Sequence, residues 1–141
     1  MLEIKKTIII NTSVETIWSF LLSMNYSMTM NRSHVKVDFP SNFKPEINSQ
    51  FKIKQNFAIV KFNFEAEIVH KDTFKELIIS KKMIQNPSLI HQIKYKIEVL
   101  DNSVKLISIF YGELGKKMIE ISLKPIIHGI MIDELRNMKS A

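Results

Sequence analysis

Alternation dominates this chain. Over the first ten residues Leu2, Ile4, Ile8 and Ile10 share one parity, and a period of two predicts a strand with one buried face. Lys6 occupies the same parity and is its exception near the middle. Asn11–Thr12–Ser13 then breaks the run. Thr12 followed three residues later by Glu15 has capping-box form and predicts the start of a helix. Ile17, Phe20 and Leu21 keep helical spacing with Trp18 beside them, and the helix is expected to stop near Met24–Asn25. Residues 25–33 have no clean period and read as a second short helix or an irregular segment.

Strand patterns follow. Val35, Val37 and Phe39 alternate weakly, and Pro40, Asn42 and Pro45 mark a loop. Phe51, Ile53, Gln55, Phe57 and Ile59 form the next series. From Ala58 the opposite parity turns apolar, through Val60, Phe62, Phe64, Ala66 and Ile68, so a turn or bulge near 57–60 is required between two strands. Phe74 to Met83 reads as another strand, ended by Asn86–Pro87–Ser88. The cleanest alternation sets His91, Ile93, Tyr95, Ile97 and Val99 against Gln92, Lys94, Lys96 and Glu98. Asp101–Asn102 supplies a hairpin turn, and Val104 to Tyr111 returns.

After Gly112 the period changes to that of a helix, expected from about Glu113 to Met138. Leu114, Met118, Ile121 and Pro125 form one row, widened by Ile119, Leu123, Ile126, Ile127, Ile130 and Leu135. Pro125 removes one backbone bond and should bend it, and Gly129 is a second weak point. An apolar face this broad has to be covered, and the concave side of the preceding sheet is long enough to cover it. The expected fold class is therefore α+β: one domain over 1–141, a curved antiparallel sheet wrapped around a long C-terminal helix, with two short helices after the first strand.

Composition narrows the functions. At 141 residues and 45% apolar the chain fits one globular domain. It has no cysteine, which excludes disulfides, a cysteine nucleophile and thiolate-held zinc or iron–sulfur clusters. Apolar runs are short, so no membrane-spanning segment or signal peptide is expected, and a cytoplasmic location is. The net charge of +6 invites a nucleic-acid partner. Its lysines, however, fall at alternate strand positions such as Lys52 and Lys54 or Lys94 and Lys96, where a wet sheet face places them. No nucleic-acid partner is expected. Lysine preferred over arginine, with an isoleucine-rich core and no cysteine, suits a heat-loving source, which is the expectation here.

The stretch Ile8–Ile9–Ile10–Asn11–Thr12–Ser13–Val14–Glu15–Thr16–Ile17–Trp18–Ser19–Phe20–Leu21 resembles the opening of the helix-grip superfamily, which includes START-like lipid-transfer domains, the birch-pollen allergen fold and polyketide cyclase-like proteins (SRPBCC proteins). There a strand leads through a capped turn into a helix bearing a Trp. Many relatives have Pro where Ser13 stands, and Met30 and Ser49 stand near positions where the superfamily often has Trp and Gly. In size and composition the chain is most similar to archaeal members of unassigned activity. The resemblance implies the fold and a cavity for a hydrophobic small molecule or lipid, but shared fold does not carry function.

The candidate chemistry is sparse. The four histidines, His34, His70, His91 and His128, include no pair at metal-ligand spacing, so no metal or cofactor is expected. No nucleotide-binding glycine motif and no GxSxG occur. Glu65 and Glu67 share a face with Lys61 and Asn63, which reads as a solvated face rather than an acid–base pair. Gln55 lies between Ile53 and Phe57 on the apolar parity, where an unpaired amide is costly. His91 and Tyr95 fall on the apolar parity of their strand, and Ser108 lies between Leu106 and Phe110. The expected ligand-binding set is Gln55, Phe57, Phe64, His91, Tyr95, Ser108, Tyr111, Met118 and Ile121, with no catalytic residue assigned.

Three functions compete on this basis. The first is binding, transport or sensing of a hydrophobic molecule in a cavity between sheet and helix. The second is a cyclase- or dehydratase-like enzyme in the same cavity, which requires two of Gln55, His91 and Tyr95 to converge. The third is a structural homodimer with a filled core.

Overall fold

The computed structural model describes residues 2–23, 35–57 and 60–113, and in the C-terminal stretch 124, 125, 127, 129, 131, 132 and 139; the side chains at 35–36, 55–57 and 60 fall outside this description. Strand β1 (Leu2–Ile10) leads into helix α1 (Val14–Ser23). Six more strands follow: β2 (Val35–Asp38), β3 (Gln50–Phe57), β4 (Val60–Asp72), β5 (Glu76–Met83), β6 (Ile90–Val99) and β7 (Val104–Gly112). They form one curved seven-stranded sheet in the order β1-β7-β6-β5-β4-β3-β2, antiparallel throughout. Strands β2 to β7 are a meander of near neighbours. Among the described strand pairs, that of β1 with β7 joins distant parts of the chain.

Alternation sorts the side chains as a half-buried sheet requires. Leu2, Ile4 and Ile10 of β1, Phe51 and Ile53 of β3, and Phe62, Phe64, Ala66 and Ile68 of β4 are buried. So are Leu77, Ile79 and Met83 of β5, Ile93, Tyr95 and Ile97 of β6, and Val104, Leu106 and Phe110 of β7. The outward face carries charge pairs: Lys82 with Glu65 at 3.6 Å, Lys94 with Glu76 at 3.1 Å, and Lys105 with Glu98 at 3.7 Å. Glu67 accepts from Gln50 Nε2 at 3.1 Å. The carboxylates Glu65 and Glu67 thus belong to a solvated ladder. A bulge between Ile68 and His70 turns His70 outward, 3.4 Å from Glu76.

Helix α1 starts one residue later than its capping pattern predicts. The Thr12 amide folds back onto the Ile10 carbonyl at 3.0 Å, so Thr12 belongs to the turn. Ser13 is the cap: its Oγ accepts the Thr16 amide at 3.2 Å and lies 2.9 Å from Thr16 Oγ1. Ser13→Ala removes this acceptor from an otherwise orphaned amide and should cost about 1 kcal/mol, read as a shift of the urea midpoint at unchanged slope. Ile17, Trp18 and Leu21 are the buried face of α1, and Trp18 meets Phe74, in the β4–β5 turn, edge-on at 6.2 Å. Phe74 holds φ of 65°, a left-handed conformation costly for an aromatic residue.

The expected second short helix over 25–33 lies outside the described residues. Of the expected long helix, Lys124, Pro125, Ile127, Gly129, Met131 and Ile132 have helical backbone, while most of 113–138 lies outside them too. Ile127 and Met131, four apart and so on one helical face, are buried in the same core cluster as the inward side of the sheet.

Candidate functional site

Five polar residues interrupt the apolar inward face of the sheet along β1 and β5 to β7. Two cross-strand rows hold them. In the first, Lys81 of β5 lies opposite His91 of β6, which lies opposite Gly112 of β7. In the second, Lys6 of β1 lies opposite Ser108 of β7, which lies opposite Tyr95 of β6. The row between them, Ile79–Ile93–Phe110–Ile4, is wholly apolar.

His91 is the most constrained of the five. It is 2% exposed, Phe64 meets its ring edge-on at 5.0 Å, and Phe110 stacks on it at 4.7 Å. Its Nδ1 is buried with no hydrogen-bond partner. Burial, reinforced by the positive charge of Lys81 across the ladder, holds the imidazole well below its ordinary pKa. At neutral pH the ring is therefore uncharged, with one nitrogen able to donate and the other to accept. Leaving a buried nitrogen unpaired costs about 1–3 kcal/mol. A ligand group or water meeting Nδ1 recovers that cost.

Gly112 makes this packing possible. Its φ is 140°, and a Cβ at this position would stand 2.4 Å from His91 Cα and 2.5 Å from the Ile90 carbonyl oxygen. The next amide, Glu113 N–H, donates to that same oxygen at 3.0 Å. The sequence shows Gly112 only as a strand end. Its closeness to His91 depends on pairing that local pattern does not encode.

Among the expected ligand-binding residues, Phe64, His91, Tyr95 and Ser108 are buried on the inward face, each 2% exposed or less. Tyr111 does not join them. It pairs with Gln92 and Glu3 on the outward parity and is 46% exposed, because inward parity on β7 belongs to its neighbours Phe110 and Gly112. Gln55 pairs in register with Phe62 and Val35, on the row parity of Ile53. Its side chain and that of Phe57, and Met118 and Ile121 altogether, lie outside the described residues.

Hydrogen bonds hold the loops between β2 and β3 and between β5 and β6. Between β2 and β3, Asn48 N–H donates to the Ile68 carbonyl at 2.7 Å, and Lys71 Nζ to the Pro45 carbonyl at 2.9 Å. Between β5 and β6, Leu89 N–H donates to Asn86 O at 3.0 Å, and Ser88 Oγ bonds Asn86 Oδ1 at 2.7 Å. Hollows of about 370 and 350 Å³ lie beside Asp38 and Lys52; Phe39, Pro40 and Phe51 help line the first, and Ile53 and Ile84 the second. Neither includes His91, Tyr95 or Ser108.

Catalysis needs converging groups, and His91 and Tyr95 do not converge. His91 and Tyr95 are four residues apart on one strand, about 13 Å along it, with Ile93 between them. Tyr95 and Ser108 do stand opposite each other, without an imidazole or carboxylate in their row. Among the described residues no three potential metal ligands cluster, and no helix is long and apolar enough to cross a membrane.

Solved structures share this arrangement across nearly the whole chain. A protein from Chromobacterium violaceum superposes with a TM-score of 0.74 at 11% identity, over 98% of this chain and 94% of its own. The fold is the helix-grip fold. A Mesorhizobium loti protein gives 0.72 at 14% identity, over 99% and 95% of the two chains, and a major latex-like protein from Panax ginseng gives 0.71 at 6%, over 98% and 95%. At these identities the likenesses show the fold alone, and they single out no archaeal relative. No protein-family model matches the chain, and no curated protein matches it in sequence.

Proposed function

We propose that this helix-grip chain binds a hydrophobic small molecule or lipid against the inward face of its sheet, as a carrier or sensor rather than a catalyst. The observation that carries the reading is the unpartnered Nδ1 of a fully buried, neutral imidazole set among phenylalanines. An apolar surface binds by removing ligand area from water, and a few fixed polar atoms orient what binds. His91, Ser108 and Tyr95 are such atoms. Likeness to a major latex-like protein agrees with small-molecule binding at the level of the fold.

The separation of His91 from Tyr95 weighs against cyclase or dehydratase chemistry, which needs an acid and a base on one substrate atom. A panel of fatty acids and steroids, titrated by intrinsic fluorescence and scanned for thermal stabilisation, tests the proposal. One or more should bind saturably, and at a hundred times its Kd should stabilise the fold by about 2.7 kcal/mol. The absence of saturable binding by any member would overturn it.

A further inference from the structure

Lys6 is an ammonium on the wrong face of an apolar strand. Leu2, Ile4 and Ile10 of the same parity are buried, and Lys6 itself is half-buried. It stands directly opposite Ser108, whose residue is 2% exposed, and the rows on either side are apolar: Ile4–Phe110–Ile93 and Ile8–Leu106–Ile97. Among the described residues neither the Lys6 ammonium nor the Ser108 hydroxyl has a hydrogen-bond or ion-pair partner. The contrast with Lys71 is direct. That lysine also has inward parity, opposite Leu77, but donates to the Pro45 carbonyl. The described lysine–carboxylate pairs all lie on the outward face.

We propose that the Lys6–Ser108 position is the subsite for an anionic group, so that the ligand is an amphipathic acid: an apolar body bearing one carboxylate or chemically similar anion. This deepens the binding reading above and rests on it. An ammonium offers only donors and a hydroxyl can offer one, so together they select an acceptor. A charge drawn toward an apolar surface is costly until it is paired, and a counter-charge brought by the ligand pairs it. His91 is neutral and sits beyond the apolar Ile93–Phe110 row, so it marks a second, uncharged contact toward the other end of the ligand. A molecule touching both has to span roughly 13 Å of strand with apolar atoms between its polar ends.

The test uses a fluorescent long-chain carboxylic acid and its methyl ester, which share a body and differ in charge. The unmodified protein should bind the acid at least about tenfold more tightly, the factor expected of a charge-assisted hydrogen bond. Lys6→Met should abolish that preference and leave ester binding intact, which also reports that the variant is folded. Lys6→Gln serves in the same way if Met at this position disturbs the fold. Lys5→Met, on the outward parity, should keep the preference, and Ser108→Ala should reduce it in part. Equal affinities for acid and ester, or a preference that survives loss of Lys6, would overturn the anion subsite while leaving the binding reading standing. That is the outcome expected if Lys6 merely bends around the edge strand into water. If neither probe binds, the subsite for an amphipathic acid is overturned, and the binding reading stands or falls on the panel of fatty acids and steroids.

Discussion

Gly112→Ala is expected to destabilise the fold by on the order of 3 kcal/mol, more than any other single methyl added to β7. Two costs combine. The backbone φ of 140° is one that side chains with a Cβ rarely adopt, and the new methyl would stand 2.4 Å from His91 Cα and 2.5 Å from the Ile90 carbonyl oxygen. Both obstacles are backbone atoms, so no rotamer change relieves them. Strand β7 would have to move away from β6 just where Leu2 of β1 also pairs, and the last rungs of both ladders would loosen. Urea denaturation should show a lower midpoint, and amide exchange should quicken first at His91 and Glu113. Tyr111→Phe next door, on the exposed face, should change stability by less than about 0.5 kcal/mol. If Gly112→Ala and Tyr111→Phe behave alike, the close approach of the strands is not the reason for glycine here.

That contrast shows what the sequence could disclose. A sheet with one dry face prints its period on the chain, so all seven strands, the reversal between Phe57 and Val60 and the wet lysine ladder were legible. Inward placement of Phe64, His91 and Tyr95 followed from parity alone. Parity also separates Tyr111 from Phe110, and a binding role for Tyr111 does not agree with it. Other features had no local signature. Thr12 and Ser13 are both good caps, and only the turn made by the Thr12 amide chooses between them. The bulge after Ile68 leaves no mark, because His70 suits either face. Pairing between β1 and β7 brings together residues far apart in the chain, so Lys6 reads as a lone exception until Ser108 is placed opposite it. The meaning of a polar residue on an apolar strand lies in its cross-strand neighbour, which periodicity cannot name.

The second large effect is acid sensitivity at His91. Because the folded protein holds this imidazole well below its ordinary pKa, folded and unfolded chains are both neutral there at pH 8, and His91 adds no pH dependence. As pH falls through about 6.5 the unfolded chain takes up a proton that the folded chain refuses. Stability is then lost by up to about 1.4 kcal/mol per pH unit, until the depressed folded-state value is reached. His91→Phe replaces the titrating ring with one suited to the Phe64 and Phe110 contacts and has no Nδ1 to leave unpaired. It should be near wild-type in stability at pH 8 and clearly more stable at pH 5. The difference between the two proteins cancels the contributions of every group they share. A ligand that accepts or donates at Nδ1 should bind His91→Phe more weakly at pH 8, whereas a purely structural imidazole would leave affinity unchanged and alter only the acid limb. Chemical denaturation of both proteins from pH 8 to pH 5, with and without the bound acid probe, separates these two roles. Parallel stability curves would show that the ring is hydrated or charged in the folded state, and would remove the dry polar contact from the site.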